Sequence, residues 1–245
     1  MRGKLPSGAR WEIFDTLDST SEESKRRILT GETGPLWLVA KEQTAGYGRR
    51  GTPWRQAVGD LAATYLFSPN AGQENVPQIS FVAGLAAADA LTRFAPDSDF
   101  KLKWPNDIIV NGAKIAGLLL ELSFTRDNQA VVSFGVGVNI VNAPSGLDYP
   151  TARMLDLCGR APTTDEVLGS IDELLAYWLS IWRDEGFWPI RAAWLLRAQG
   201  IGAKIRVRLA DNEFEGVFRD LDGDGALILD IDGQVKRITA GTIIG

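Results

Sequence analysis

The sequence predicts an α+β protein: a mixed β-sheet with helices over residues 1–198, then a small β-barrel over residues 199–245. Three observations carry that prediction. Up to residue 198, strand-length apolar runs are interspersed with helical stretches. Two of the runs, Lys114 to Leu122 and Val131 to Ile140, are nearly continuous, which predicts burial on both faces. From Ile201 the texture changes to short runs broken by Asp-Gly turns, the pattern of an antiparallel module of five strands or fewer.

Taken in order, residues 10–16 form a first strand. Asp18-Ser19-Thr20-Ser21-Glu22 caps a helix to about Leu29, and Ser19 with Glu22 has the capping-box spacing. A strand near 36–42 enters a glycine-arginine loop, and another near 61–67 leaves it. An alanine-rich helix spans 75–94. Leu102 to Trp104 and Ile108 to Val110 are short strands around a Trp-Pro-Asn-Asp turn. Thr164 opens a long helical region to Ala198, whose aromatic stripe (Tyr177, Trp178, Trp182) belongs in the core. In the C-terminal module Ala203 to Leu209 alternates with period two, and runs follow at 216–221, 226–231 and 235–239. Asp220, Asp222, Asp224 and Gly225 match the first positions of a calcium loop. Ile231 stands where its bidentate glutamate should be, so the segment is a hairpin turn.

Composition narrows the chemistry. The 245 residues are 45% hydrophobic with 8 Trp and 10 Phe, enough for a sizeable core. A net charge of −5 argues against a nucleic-acid surface as the main role. The single cysteine, Cys158, excludes an intramolecular disulfide and fits a reducing compartment. Histidine is absent, which removes the serine triad, histidine general bases and nearly all zinc sites. Any chemistry must therefore run on Lys, Arg, Asp, Glu and backbone groups. The N-terminus has no apolar leader pattern, and the longest charge-free apolar stretch, Ile79 to Ala88, is too short to span a bilayer. A cytoplasmic location is expected.

Four clusters stand out. Gly46-Tyr47-Gly48-Arg49-Arg50-Gly51 fits the bare dinucleotide-binding pattern, but Thr52-Pro53-Trp54 follows where a helix should open. Two guanidiniums on a glycine-rich loop suit bracketing a phosphate or carboxylate; a solvated basic turn is the plainer alternative. Lys103-Trp104-Pro105-Asn106-Asp107 gathers an ammonium, an amide and a carboxylate on a rigid turn, or is an ordinary Asx turn. In Lys114-Ile115-Ala116-Gly117 a lysine enters an otherwise apolar strand, Ile115 to Leu120. An anionic partner such as a ligand carboxylate or phosphate would offset its burial, unless it snorkels at the strand end. In Gly135-Val136-Gly137-Val138-Asn139, glycines inside a strand imply close approach of another backbone or a ligand, or tight packing on a helix.

In this order, with Ser19-Thr20 upstream, the clusters closely resemble the biotin protein ligases (biotin–[acetyl-CoA-carboxylase] ligases). The resemblance runs from Asp18-Ser19-Thr20 to the C-terminal module, and Lys103-Trp104-Pro105-Asn106-Asp107 is its most diagnostic part. It implies a class II aminoacyl-tRNA-synthetase-like catalytic domain followed by an SH3-like one. It implies a reaction in which ATP-Mg²⁺ and biotin give biotinyl-5′-AMP, which then biotinylates a lysine of a carboxyl carrier protein. By the same resemblance, Ser19, Thr20, Ser21, Gln43, Gly46, Tyr47, Gly48, Arg49, Lys114, Gly117 and Gly135 bind biotin. Arg49, Arg50, Trp54, Lys103, Asn106, Asp107 and Asn139 bind ATP, and Lys114, Arg49 and Asp107 are catalytic. Metal ligands are not assigned.

The first step uses a nucleophile that is already ionised, so it needs charge stabilisation and no base; Arg49, Arg50 and Lys114 would supply it. The second step attacks with a lysine that is neutral in roughly 1 molecule in 2,500 at pH 7. Asp107 is the expected proton acceptor. The chain departs from the family pattern at Tyr47, where arginine is usual, and at Ser21, where asparagine is common. It also departs at Ala62-Ala63, where tyrosine or similar is frequent. Relatives that double as repressors carry a DNA-binding domain ahead of the Ser-Thr motif; Ser19 stands almost at the start here, so no operator binding is expected. Expected partners are biotin, ATP and the carrier domain, with a homodimer as a candidate assembly and neither DNA nor membrane. Two alternatives remain. A lipoate- or octanoate-transferring relative would carry an Arg-Arg-x-x-Gly-Gly-Gly type motif, which is not found. A non-catalytic biotin sensor is disfavoured by the intact lysines and Asp107.

Overall fold

A computed structural model describes residues 2–69, 72–209 and 212–244. Met1 and Gly245, the outer limits of the two predicted domains, lie outside the described residues. The larger part is an eight-stranded mixed sheet with strand order β1-β2-β3-β4-β8-β7-β6-β5. Its strands are β1 (Arg2–Lys4), β2 (Arg10–Leu17), β3 (Leu36–Gln43), β4 (Leu61–Phe67), β5 (Phe100–Lys103), β6 (Asp107–Val110), β7 (Ala113–Phe124) and β8 (Ala130–Val138). Among the described strands of this sheet only β2 and β3 pair in parallel, across the crossover helix α1 (Thr20–Leu29). Helix α2 (Ile79–Phe94) and the pair α3 (Thr164–Glu185) and α4 (Phe187–Leu196) cover the opposite face.

Alternation along each strand separates the two faces. Trp37, Tyr65, Phe134, Val136 and Leu118 point to α2–α4 and join the main buried cluster. The residues one step along, Leu36, Leu38, Leu66 and Val131, form a second small cluster beneath Ile28 of α1. Gly84 on α2 lets the sheet come close: a Cβ there would lie 3.5 Å from Leu102 and 3.7 Å from Leu118. Buried Asp172 is paired, as burial of a charge requires. The Asp172 carboxylate of α3 accepts from Trp37 Nε1 (3.0 Å) and from Ser7 N and Oγ, fastening sheet, helix and N-terminal segment together.

The C-terminal part is a five-stranded antiparallel sheet of order β12-β11-β10-β9-β13. The strands are β9 (Lys204–Leu209), β10 (Asn212–Leu221), β11 (Leu227–Ile231), β12 (Gln234–Ile238) and β13 (Thr242–Ile244). Among the described residues no pairing joins the outer strands β12 and β13 into a closed barrel. Its core residues Val207, Phe218, Leu227 and Ile243 belong to the same buried cluster as the large sheet. Asp222 Oδ1 accepts from the Asp224 and Ala226 amides, so the calcium-loop lookalike is a turn.

Four local expectations are corrected. The Ser19/Glu22 capping box does not form: Ser19 Oγ accepts from Ser21 N, and the Glu22 carboxylate bonds elsewhere. A capping box does form at Thr163 and Glu166. The helical region from Thr164 breaks at Gly186, whose φ of 79° no helix accommodates. Tyr177 is 55% exposed, because Trp178 and Trp182 lie four residues apart on one face and Tyr177 does not share it. Finally, β7 is not buried throughout; Leu122 and Phe124 reach solvent.

Candidate active site

On the sheet face opposite α2–α4, between α1 and the loop 44–60, small residues replace large ones. The pairs Ala62–Gly137 and Thr64–Gly135 join β4 to β8, and Gly117–Gly137 joins β7 to β8. The result is a trough floored by glycine and walled by polar groups.

One wall begins at the start of α1. Gln43 Oε1 accepts from Thr20 N (2.8 Å) and Thr20 Oγ1 (3.1 Å). Thr64 Oγ1 donates to Thr20 Oγ1 (2.8 Å) and lies 3.4 Å from Ser21 Oγ. Ser19, Thr20 and Ser21 are all buried. Gly135 borders them, since a Cβ there would lie 3.2 Å from Ser21 Oγ. Such a chain of hydroxyls and amides has the donors and acceptors to pair a buried polar ligand ring.

The other end carries charge. Lys114 Nζ pairs with Asp107 Oδ1 at 2.7 Å, with both side chains about a fifth to a quarter exposed (19% and 25%). The anionic partner expected from a ligand is thus, in the free chain, a carboxylate of the protein. A bulge brings them together. Ile108 pairs with Ala116 and Ile109 with Lys114, so β7 carries one extra residue, Ile115, against β6. Without it Lys114 and Gly117, three apart, would face opposite sides of the sheet. With it the Lys114 ammonium lies on the Gly117 side, where a Cβ would sit 3.2 Å from Nζ. Lys114 also lies over the rings of Trp54 (5.9 Å) and Tyr149 (5.5 Å).

The Lys103-Trp104-Pro105-Asn106-Asp107 turn links β5 to β6, with a cis Trp104–Pro105 peptide. Asn106 is turned inward: its side-chain amide donates to the Leu118 carbonyl, and its own carbonyl accepts from Leu118 N (2.9 Å). Trp104 is buried and donates from Nε1 to the Gly225 carbonyl of the C-terminal sheet (3.1 Å). Lys103 has no ion-pair partner among the described residues. Asn139 sits under the trough, donating to the Ala152 carbonyl (3.0 Å), while its buried Oδ1 has no partner.

The loop folds over the floor. No helix opens within it; Arg49–Gly51 form a single tight turn, with Arg50 at φ 55°. Gly48 N donates to Thr52 O (2.7 Å), Trp54 N donates to Gly46 O (2.9 Å), and Tyr47 bridges to Pro53. Trp54 then packs against Gly117 and Gly137. A Cβ at Gly137 would fall 2.3 Å from its ring, and its buried indole nitrogen has no partner. Arg49 reaches to the C-terminal sheet and donates to the Gly241 carbonyl (3.0 Å). Burial and the neighbouring Arg50 lower its pKa, with Asp107 acting in the opposite direction. Arg50 is exposed and has no ion-pair partner among the described residues. The base of the loop is pinned by buried Asp60, whose Oδ1 accepts from the amides of Ile140, Val141 and Asn142.

The structure therefore brings Ser19, Thr20, Ser21, Gln43 and Gly135 to one end of the trough, and Lys114, Asp107, Gly117, Trp54 and Asn139 to the other. Thr64 and Gly241 escape sequence reasoning. A buried hydroxyl within the apolar run of β4 was a usable signal for Thr64. Nothing in the sequence points to Gly241, which contributes only a backbone carbonyl.

The model of the biotin/lipoate A/B protein ligase family matches residues 13–139, more than half of the chain. The chain belongs to this family. A biotin protein ligase C-terminal domain matches residues 200–244. Among relatives of this ligase family, the biotin–[acetyl-CoA-carboxylase] ligase of Paracoccus denitrificans is 39% identical over 218 residues, covering 86% of this chain and 90% of that one. The corresponding ligase of Mycobacterium tuberculosis is 29% identical over 252 residues, covering 98% and 91%. The fold is that of the Aquifex aeolicus biotin protein ligase solved with biotin and ATP, at a TM-score of 0.82, 24% identity and coverage of 96% and 97%. The family's matched segment contains the α1 start, the arginine loop, the Trp-Pro-Asn-Asp turn and both glycine strands.

Proposed function

We propose that this protein is an ATP-dependent ligase that activates biotin to biotinyl-5′-AMP and transfers biotin to a lysine of a biotin carboxyl carrier protein. The observation that carries this is the trough itself. A hydroxyl–amide wall suited to an uncharged polar ring lies at one end, and the Lys114–Asp107 pair lies at the other. The ligase names of the relatives support the same assignment over a lipoate-transferring or purely sensing role.

In the first step a biotin carboxylate oxygen attacks the α-phosphorus of ATP, and the bond to pyrophosphate breaks. Two anions must approach each other, so cationic groups are required. Lys114 shares its charge between Asp107 and the incoming anion, and Arg49 exchanges its Gly241 carbonyl for a phosphate oxygen. Ser19, Thr20, Ser21 and Gln43, with Gly135 beside them, take the ureido ring of biotin. Trp54, with Lys103, Arg50, Asn106 and Asn139, serves the nucleotide side, where the Trp54 nitrogen has a free donor and the Asn139 oxygen a free acceptor. No group of three or more metal-ligating side chains occurs among the described residues. Mg²⁺ would accompany ATP on its phosphates, and no residue of the chain is assigned to it.

In the second step the amine of the carrier lysine attacks the acyl carbon and AMP leaves. Asp107 takes the proton. Asp107→Asn should retain pyrophosphate exchange yet slow transfer from preformed biotinyl-AMP about 100-fold; transfer at the wild-type rate removes Asp107 from this role. The whole assignment is tested by ATP–pyrophosphate exchange. Exchange that depends on biotin supports it; exchange with lipoate instead, or none despite biotin binding, overturns it.

A further inference from the structure

Tyr47 is a loop side chain whose hydroxyl is engaged on both sides by α1. Its hydroxyl donates to Glu22 Oε1 (2.6 Å) and accepts from Lys25 Nζ (2.8 Å), both on α1. Lys25 also bonds Glu22 (2.9 Å) and Glu121 of β7 (3.0 Å), and its ammonium lies 5.3 Å from the centre of the Tyr47 ring. Loop, helix and sheet are thus joined through four side chains. The Tyr47 backbone bridges Pro53, so fixing Tyr47 also fixes the segment that lays Trp54 on Gly117 and Gly137. These contacts need no ligand, and charge-assisted bonds of this kind are the stronger class.

We propose that Tyr47, Glu22, Lys25 and Glu121 form a latch that holds the arginine loop closed over the trough in the free protein. Tyr47 is then a positioning residue for Trp54, not a group that grips biotin. Exchange across the trough waits on latch opening, so biotin enters and biotinyl-AMP leaves more slowly than through an unlatched loop. Burial pushes the Tyr47 phenol up to about 12, so it stays a neutral donor to Glu22 throughout the physiological range. The ligand half of this inference rests on the ligase reading above; the latch does not.

The test uses limited trypsin digestion of the ligand-free full chain, with cleavage after Arg49 and Arg50 read by mass spectrometry. Tyr47→Phe keeps the ring and removes only the hydroxyl. It and Glu22→Gln should each accelerate cleavage at these sites about 10-fold, and the double variant should do no more than either alone, since both cut one network. In parallel, Tyr47→Phe should speed both biotin association and biotinyl-AMP release about 10-fold. Unchanged cleavage in both single variants, or effects that simply multiply in the double variant, overturns the latch. A thermal midpoint that falls in step with the cleavage rate does so too, because cleavage then reports global unfolding. Faster loop cleavage in a chain that never forms biotinyl-AMP upholds the latch and overturns the ligase reading instead.

Discussion

The two faces of the large sheet are drawn from alternate residues of the same strands, yet they do opposite jobs. On the helical face Trp37, Tyr65 and Phe134 stack at centroid distances of 4.9 to 5.6 Å, and the space is full. One residue along, Ala62, Thr64, Gly117, Gly135 and Gly137 leave a trough bordered by the Trp54 ring, the Lys114 ammonium and the Ser21 hydroxyl. Thr64, Gly137 and Phe134 are all buried, so burial alone does not separate support from function. Side-chain volume does: bulk on one face holds the sheet, and its removal from the other makes room for chemistry.

That contrast can be attacked from either side. The largest expected effect is Phe134→Ala, which opens a cavity on the full face and should cost about 3–5 kcal/mol of stability. Activity per folded molecule should hold, and denaturant unfolding beside exchange assays checks both; a large loss of specific activity would erase the distinction between faces. Lys114→Gln works on the other face and should lower biotin-dependent exchange by about 10³-fold, the upper range for removing one preorganised charge or donor, with the thermal midpoint little changed. Gly137→Ala adds one methyl where Trp54 rests, 2.3 Å from its ring. Displacing that ring should cost about 100-fold in exchange, as ångström-scale misplacement does elsewhere, and the same assay reads it.

The smallest effect concerns pH. Bonds from Tyr47 and Lys25 hold the Glu22 carboxyl below the ordinary carboxylate range, although burial and Asp18 act against them. Lys25, Tyr47, Asp18 and, across from β7, Glu121 are the charged or titratable groups around it. A depressed carboxylate pKa stabilises the closed loop above its unfolded value, near about 4.3, and that contribution fades as pH falls through the folded one. Loop amide protection, corrected for intrinsic exchange, should be flat from pH 8 to 5 and decline below about pH 4. Protection that rises on acidification would contradict the latch geometry.

Much of this was legible in the chain. The strands entering and leaving the loop, the hairpin around Trp104-Pro105-Asn106 and the small C-terminal strands follow local periodicity and turn chemistry. Where local patterns failed, a distant group had intervened. Glu22 has the spacing for a cap on Ser19 but is drawn to Tyr47, 25 residues away. The aromatic stripe read after Thr164 fails at Tyr177, which does not share the face that Trp178 and Trp182 turn to the core.

By itself the sequence determined where most strands of the large sheet run, that glycines between 135 and 137 invite close approach, and that the chemistry would run on lysine, arginine and carboxylate without histidine. Those properties are carried by residue type and by a period of two, both local. The tertiary structure alone decided that Lys114 meets Asp107, that Arg49 spans 192 positions to the Gly241 carbonyl, and that Tyr47 turns to α1. The first depends on a single extra residue in β7, and a slip of one residue reverses every side chain that follows. The other two depend on where separate elements dock, which no window of sequence contains.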